Sequence, residues 1–406
     1  MAQSIPTPAV VPGLSDEKPA GREAVSIALP VFLTSCACIF LFFWLGSVFV
    51  SSPNVDSVPL RLPTWDEAKW WLGRPDTGFY IGIAENGYKA APFSSAEGAN
   101  WAFFPAYPLL LRFFAHGRPP EFCLLLGFCL SLLFYGCGAW YLCRLLLCDY
   151  DSDTVARSVV LFCFYPFAFS LAVFGPDSLL LLTVCAAFYN ARRGRWGIAA
   201  VAAGIACITR VQGVPVVPCL LYLYAKDKDF QWRRSDRWLA ALLAAPLGLV
   251  VFAWHLGRLT GNPLAFVGIQ AAWNNSPSYP FAFLVRFFRE PALIGSSGWN
   301  PELLAVVVTC SLAPLLLWSW IKRVMPLEYC LFLGLQLVLL TCRTSTMGNL
   351  RYVTGCFPCF AALGVLARRP MVYSLLLAVF AAFFGLFAAL FAAGQQHHPG
   401  YHFAAF

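Results

Sequence analysis

Apolar segments long enough to cross a bilayer recur along almost the whole chain, and they constrain the fold more than any motif does. A helix needs about 20 residues to span the hydrocarbon core, and only closed hydrogen-bonding patterns survive there. Such runs or near-runs lie at about 24–50, 121–148, 155–174, 179–191, 196–225, 238–257, 303–321, 327–342, 352–367 and 371–393. Hydrophobic residues make up 59% of the 406 and charged ones only 12%. That composition excludes a soluble domain and indicates an all-α polytopic membrane protein. Residues 1–22 are polar and Pro-rich and read as a disordered cytoplasmic N-terminus. The first run, with no small-residue cleavage pattern after it, reads as a signal anchor.

The formal charge of +8 sits mostly in short basic clusters between the runs. Arg192, Arg193 and Arg195 form one; Lys226, Lys228, Arg233, Arg234 and Arg237 form another; Lys322/Arg323 and Arg368/Arg369 follow. Such clusters orient a membrane protein with basic loops in the cytoplasm, so the charge is a topology signal and implies no nucleic-acid partner. The run 196–225 has basic clusters on both sides and is interrupted at Thr209–Gly213, with Pro215 and Pro218 beyond. It therefore reads as two short helices joined by an external hairpin. About eleven transmembrane helices then place every basic cluster inside. The single transmembrane domain spans 23–393, with external loops at 51–120 and 258–300 and an external tail at 394–406. The first loop carries short interfacial helices, one at Ala102–Phe114 and one in the WDEAKWW segment with Trp65, Trp70 and Trp71 at headgroup level.

All sixteen cysteines lie in or at the ends of apolar runs, which excludes a disulfide framework in the loops. Cys356 and Cys359 read as small buried hydrophobes. His397 and His398 have no spaced partners, so no metal site is read.

The topology isolates polar residues that insertion alone does not explain: Asp76, Glu85, Asp177, Arg210, Gln212, His255, Arg258, Arg343 and Arg351 all fall on the external side. Asp177, after Pro176 and before an apolar run, is a good helix-start residue, and an active-site role does not exclude that. An unpaired arginine between short helices costs several kcal/mol. Arg210 therefore either pairs with a carboxylate such as Asp177 or clamps an anion. Arg343 reads as a solvated residue or an anion contact, and Arg351 as a phosphate contact. Asp66 and Asp76 both offer a carboxylate. Asp76 is followed by Phe79 and Tyr80, and flat faces beside a carboxylate suit a sugar. His255 reads as a packing residue.

Asp76-Thr-Gly-Phe-Tyr80, Ile83-Ala84, Gly87-Tyr88 and Ala102-Phe-Phe-Pro-Ala-Tyr-Pro108 together resemble the PIG-V family, the second mannosyltransferase of glycosylphosphatidylinositol assembly, and its bacterial relatives. The family's Trp-Asp pair is Pro75-Asp76 here, and its usual Glu is Asp177 in Gly175-Pro-Asp-Ser-Leu. Thr209-Arg210 with Gln212-Gly213, and Arg351-Tyr352 with Phe357-Pro358, fit the later motifs. The resemblance implies a GT-C-type glycosyltransferase fold. It implies transfer of a sugar, mannose in the family, from a polyprenyl-phosphate donor to a lipid-linked or glycan acceptor on the periplasmic or lumenal face. Asp76 and Asp177 are then the catalytic candidates, and Arg210, Arg351 and Arg343 the donor-phosphate ligands. Tyr80, Asn100, Trp101, Tyr107, Gln212 and Tyr352 are the substrate-binding candidates. Inverting displacement needs a base for the acceptor hydroxyl but no acid for a phosphate leaving group, so no metal or cofactor is required. The expected partners are membrane lipids, the lipid-linked donor and the acceptor, and a small membrane subunit is left open. Compact loops favour a bacterial inner membrane over the endoplasmic reticulum. A transporter or flippase of a lipid-linked sugar shares the broken helices and the buried arginine, but the sequence shows no two-half repeat.

Overall fold

A computed structural model describes residues 17–50, 63–74, 76–293 and 301–397. The expectations for 1–16, for the start of the first loop at 51–62, for Pro75, for 294–300 and for the tail from 398 lie outside the described residues. So do the side chains of Asp66 and Trp70. The described residues are all-helical, about three-quarters helix with no strand. The helices are α1 Glu17–Leu45, α2 Trp65–Leu72, α3 Thr77–Asn86, α4 Ala106–Ala115, α5 Pro120–Leu146, α6 Ser152–Cys163, α7 Asp177–Arg192, α8 Trp196–Thr209 and α9 Val216–Asp227. After them come α10 Arg237–Ala244, α11 Leu247–Thr260, α12 Ala265–Gly268, α13 Ala282–Arg289, α14 Glu302–Ile321, α15 Leu327–Thr341, α16 Asn349–Tyr352, α17 Phe357–Leu366 and α18 Pro370–His397. α1 starts inside the N-terminal segment that composition alone assigns to disorder.

Among the described residues, five helices are long and apolar enough to cross a membrane: Gly21–Phe49, Pro120–Leu146, Arg237–Thr260, Glu302–Ile321 and Pro370–Gly394. A sixth span is counted if the pair Asn349–Gly355 and Phe357–Leu366, bent by 80°, is taken as one. This is a multi-pass membrane protein, but eleven full spans are not present among the described residues. The shortfall has physical causes. The run 155–174 ends its helix at Cys163 and passes through a short 3-10 turn, Ala168–Leu171, because Pro166 follows Tyr165 and a residue before proline is pushed out of the helical region. α7, α8 and α15 are too short to span; α7 is covered by neighbouring helices, whereas α8 and α15 keep exposed apolar residues such as Val201 and Val338. α7 in particular is buried along nearly its whole length and packs most extensively on α5 and α8.

The break after α8 forms as its residues dictate. Arg210 is extended (φ −162°, ψ 160°), and Val211–Gly213 make one 3-10 turn before Pro215 opens α9. Gly213 lies so close to α8 that a Cβ would overlap the main-chain carbonyl of Ala206. Neither backbone can yield, so Gly213→Ala is expected to cost about 2 kcal/mol or more, read as a lowered melting temperature in detergent. Gln336 of α15 ties the same turn in place, its Nε2 donating to the Gln212 carbonyl at 2.6 Å.

The aromatic segments sort differently from a headgroup belt. Trp65 is exposed, but Trp71 is buried, 6.4 Å from the Phe43 ring of α1. Phe103, Phe104 and Tyr107 are likewise buried, so the FFPAYP segment is packing and presents no wall to lipid. The exposed apolar side of α4 is instead Leu109, Phe113 and Phe114. Cys356 and Cys359 lie in the main core.

Candidate functional site

Four arginines and two aspartates converge where α3, α7, the break after α8, and α16 meet. Asp177 is at the centre. It is the first residue of α7, yet its side chain makes no cap, because both carboxylate oxygens face arginines. Arg74 Nη2 lies 2.7 Å from Oδ2, and Arg210 Nη1 pairs with Oδ1. The Arg74 contact is coulombic, since the charges meet without a well-aligned N–H···O. Capping alone therefore does not account for Asp177. The extended backbone at Arg210 releases its side chain from both flanking helices toward this carboxylate.

Arg74 is placed by three local contacts. Its amide donates to Thr77 Oγ1 at 2.9 Å, Thr77's amide returns a bond to the Arg74 carbonyl, and its Nε donates to the Phe174 carbonyl at 2.8 Å. The guanidinium lies against Gly175, where any Cβ would overlap it. Beneath that glycine, Tyr107 is fully buried, its hydroxyl donating to the Gly127 carbonyl at 2.6 Å. Ser131 Oγ and the Tyr107 hydroxyl both receive the Gly175 amide. Gly175→Ala is thus expected to push the Arg74 guanidinium off Asp177 and remove most activity, while Arg74→Lys, which frees that volume, restores part of it in the double variant. Equal activity of Gly175→Ala and wild type in a membrane assay would contradict this placement.

The second carboxylate behaves differently. Asp76 stands at the N-cap of α3 with helical dihedrals and no side-chain cap, so its oxygens owe nothing to the local backbone. One faces Arg351 Nη1 at 3.4 Å, and the Asp76 side chain is 26% exposed against 4% for Asp177. Asp76 is the accessible carboxylate and Asp177 the enclosed one. Arg351 itself is buried, and its Nε has no hydrogen-bond partner among the described residues; nor does Arg74 Nη1.

Tyr352 serves as a platform for three guanidiniums. Arg210, Arg343 and Arg351 lie 4.8, 5.3 and 5.4 Å from its ring centroid, in the range where the negative ring face attracts a cation. Arg343 is held from the second long loop, where Nε donates to Asn275 Oδ1 at 2.9 Å, and from the start of α16, where Nη1 donates to Asn349 Oδ1 at 3.1 Å. Asn275 belongs to a strap joined to the arginine turn by the Pro277–Arg343 bridge and by the amides of Ser278 and Thr344. Trp273 continues the strap to the first loop, edge-on to Phe79 and Phe103, whose own rings stack at 4.7 Å.

The site thus gathers Asp76, Asp177, Arg210, Arg343, Arg351 and Tyr352, with Tyr80 buried one turn beyond Asp76. Gln212 adjoins it, with Oε1 buried and unbonded. Asn100 and Trp101 are not brought there. Asn100 accepts from the Lys89 amide and donates to the Gly87 carbonyl, and Trp101 Nε1 donates to the Lys89 carbonyl, so both staple the first loop. Tyr107 stands behind the Gly175 turn. Arg74, Asn275 and Asn349 join the site without having been singled out in the sequence. Arg74 carried a signal, a basic residue in the loop that the sequence reading puts outside, where basic residues are disfavoured; the two asparagines carried none.

Among the described residues, four guanidiniums against two carboxylates leave an excess of two positive charges in a largely buried site. Such an excess is costly unless an anion completes it. No family model and no curated protein matches the chain. Among solved structures it is similar to the oligosaccharyltransferase of Archaeoglobus fulgidus in the apo form, with 14% identity and a TM-score of 0.45 over 93% of this chain and 55% of that one. It is also similar to the oligosaccharyltransferase AglB of the same archaeon in complex with an inhibitory peptide and a dolichol-phosphate, with 12% identity and a TM-score of 0.43 over the same shares. The chain spans about half the length of these structures.

Proposed function

We propose that this protein is a GT-C-type glycosyltransferase of the PIG-V kind, moving a sugar, mannose in the first instance, from a polyprenyl-phosphate donor to an acceptor hydroxyl by inverting displacement. One observation carries the reading: a part-exposed carboxylate free of structural duty stands beside a buried surplus of guanidinium charge. Asp76 takes the acceptor proton as the new glycosidic bond forms. Arg351, Arg210 and Arg343 receive the charge that grows on the departing lipid phosphate. Asp177 holds Arg74 and Arg210 in position. In this scheme no metal is required, because the guanidiniums supply the counter-charge. The motif resemblance across 76–108 supports the same assignment, and the reading carries with it an active site on the periplasmic or lumenal face.

The test is incubation of membranes carrying the full chain with radiolabelled polyprenyl-phosphate mannose and candidate acceptors. A new glycosidic product supports the enzyme, whereas label crossing the membrane with no product would replace it with a transporter. Arg351→Ala is expected to raise the KM for the donor by about tenfold or more, as loss of a charge-assisted contact implies. The acceptor KM should stay within about twofold. Unchanged donor dependence would make Arg351 a structural residue.

A further inference from the structure

The Arg351–Asp76 contact links the two ends of the proposed reaction, and its significance rests on the reading of Arg351 as a ligand of the donor phosphate. The acceptor O–H attacks the anomeric carbon, its proton passes to Asp76, and the bond from that carbon to the phosphate oxygen breaks with its electron pair left on the phosphate. Before the step, Asp76 and the phosphodiester donor each carry one negative charge. Afterwards Asp76 is neutral and the lipid phosphate, now a monoester, carries two. The total is unchanged, but one negative charge has moved from one neighbour of Arg351 to the other.

In the resting site Arg351 Nη1 is turned to Asp76 at 3.4 Å, while its buried Nε is unpartnered among the described residues. We infer that Asp76 and the lipid phosphate compete for Arg351, so that Asp76, after serving as base, ejects the lipid-phosphate product when it gives its proton to solvent. The remaining groups facing Asp76 do not reproduce this exchange. Arg74 and Arg210 are bound to Asp177, Arg343 is bound to Asn275 and Asn349, Tyr352 meets Arg351 through its ring, and Tyr80 is buried one turn beyond Asp76. Exposure of Asp76 gives the proton a route out. With Asp76 protonated the four guanidiniums face only the Asp177 carboxylate, and the surplus of three positive charges holds the dianionic product; ionisation of Asp76 lowers that surplus to two and loosens it.

Binding of radiolabelled farnesyl phosphate to the full chain in detergent micelles tests the exchange without turnover. Asp76→Asn takes the negative charge from the competitor, leaving a weaker neutral acceptor, and is expected to bind the probe about tenfold more tightly than wild type, a typical coupling between linked sites. Asp76→Glu keeps the competitor and should bind like wild type. In an Arg351→Ala background, Asp76→Asn should no longer tighten binding. Equal affinity of Asp76→Asn and wild type, or the same tightening without Arg351, would overturn the competition and leave the donor reading standing. No binding of the probe to any of these proteins would overturn both.

Discussion

Asp76→Asn is expected to lower sugar transfer by about 10²–10⁴-fold, the range a positioned general base contributes, in a protein that inserts and melts like wild type. The separation of the two effects follows from the geometry. The side chain caps nothing, it is 26% exposed, and its ionic contact with Arg351 is 3.4 Å long, so the carboxylate adds about 1 kcal/mol or less to stability. The amide is nearly isosteric and can still accept from Arg351, but it cannot take a proton. Product formation in the labelled-donor assay, set beside a melting curve of the same preparation, reads both quantities. Normal turnover would remove Asp76 from the base role.

Asp177→Ala should fail in the opposite way. Arg74 and Arg210 lose a carboxylate that is 4% exposed, and two buried guanidiniums are left beside Arg351 and Arg343 with only Asp76 to offset them. Removing one partner of a buried ion pair costs about 3–5 kcal/mol. The expected result is a sharp drop in melting temperature and loss of monodisperse protein on extraction, with activity lost as a consequence. Asp177→Asn combined with Arg210→Met should recover part of the stability, because only Arg74 then remains unpaired, but not the activity. A single Asp177→Ala variant with the wild-type melting temperature would show that the carboxylate is dispensable to the fold.

The contrast between these two aspartates was only partly legible in the sequence. Both stand in polar breaks between apolar runs, and so both read as candidates. What separates them is the arrival of Arg74 from the first loop, which converts Asp177 from a helix-start residue into the centre of a buried ionic triad. The pairing of Arg210 with a carboxylate could be anticipated, since an arginine between two short apolar helices has few affordable alternatives. The break after α8 could be read for the same reason, from Pro215, Gly213 and the basic clusters on both sides. Helix count was less accessible. Hydropathy averages over residues such as Pro166 that end a helix without lowering the apolar content, so a run of spanning length can fold as a short helix and a turn. Aromatic placement was the least accessible, because Trp71 or Phe103 satisfies a headgroup belt and a bundle interior equally well on sequence alone. The asparagines that hold Arg343 come from positions 68 and 6 residues away, and only the strap brings the first of them near.

The distribution of the cluster along the chain bears on how the protein is made. Arg74, Asp76, Asp177 and Arg210 all lie within the first 210 of 406 residues, and together they sum to zero charge. Arg343 and Arg351, which create the surplus, come much later, with Arg351 reaching Asp76 across 275 positions. At ribosomal rates of about 5–20 residues per second, the second half of the cluster emerges roughly 10–30 s after the first. The nascent chain therefore inserts a charge-balanced set that can pair within itself, and the attraction for an anion appears only when the C-terminal helices dock. A half-made molecule is in this way kept from capturing lipid phosphate before its bundle is closed.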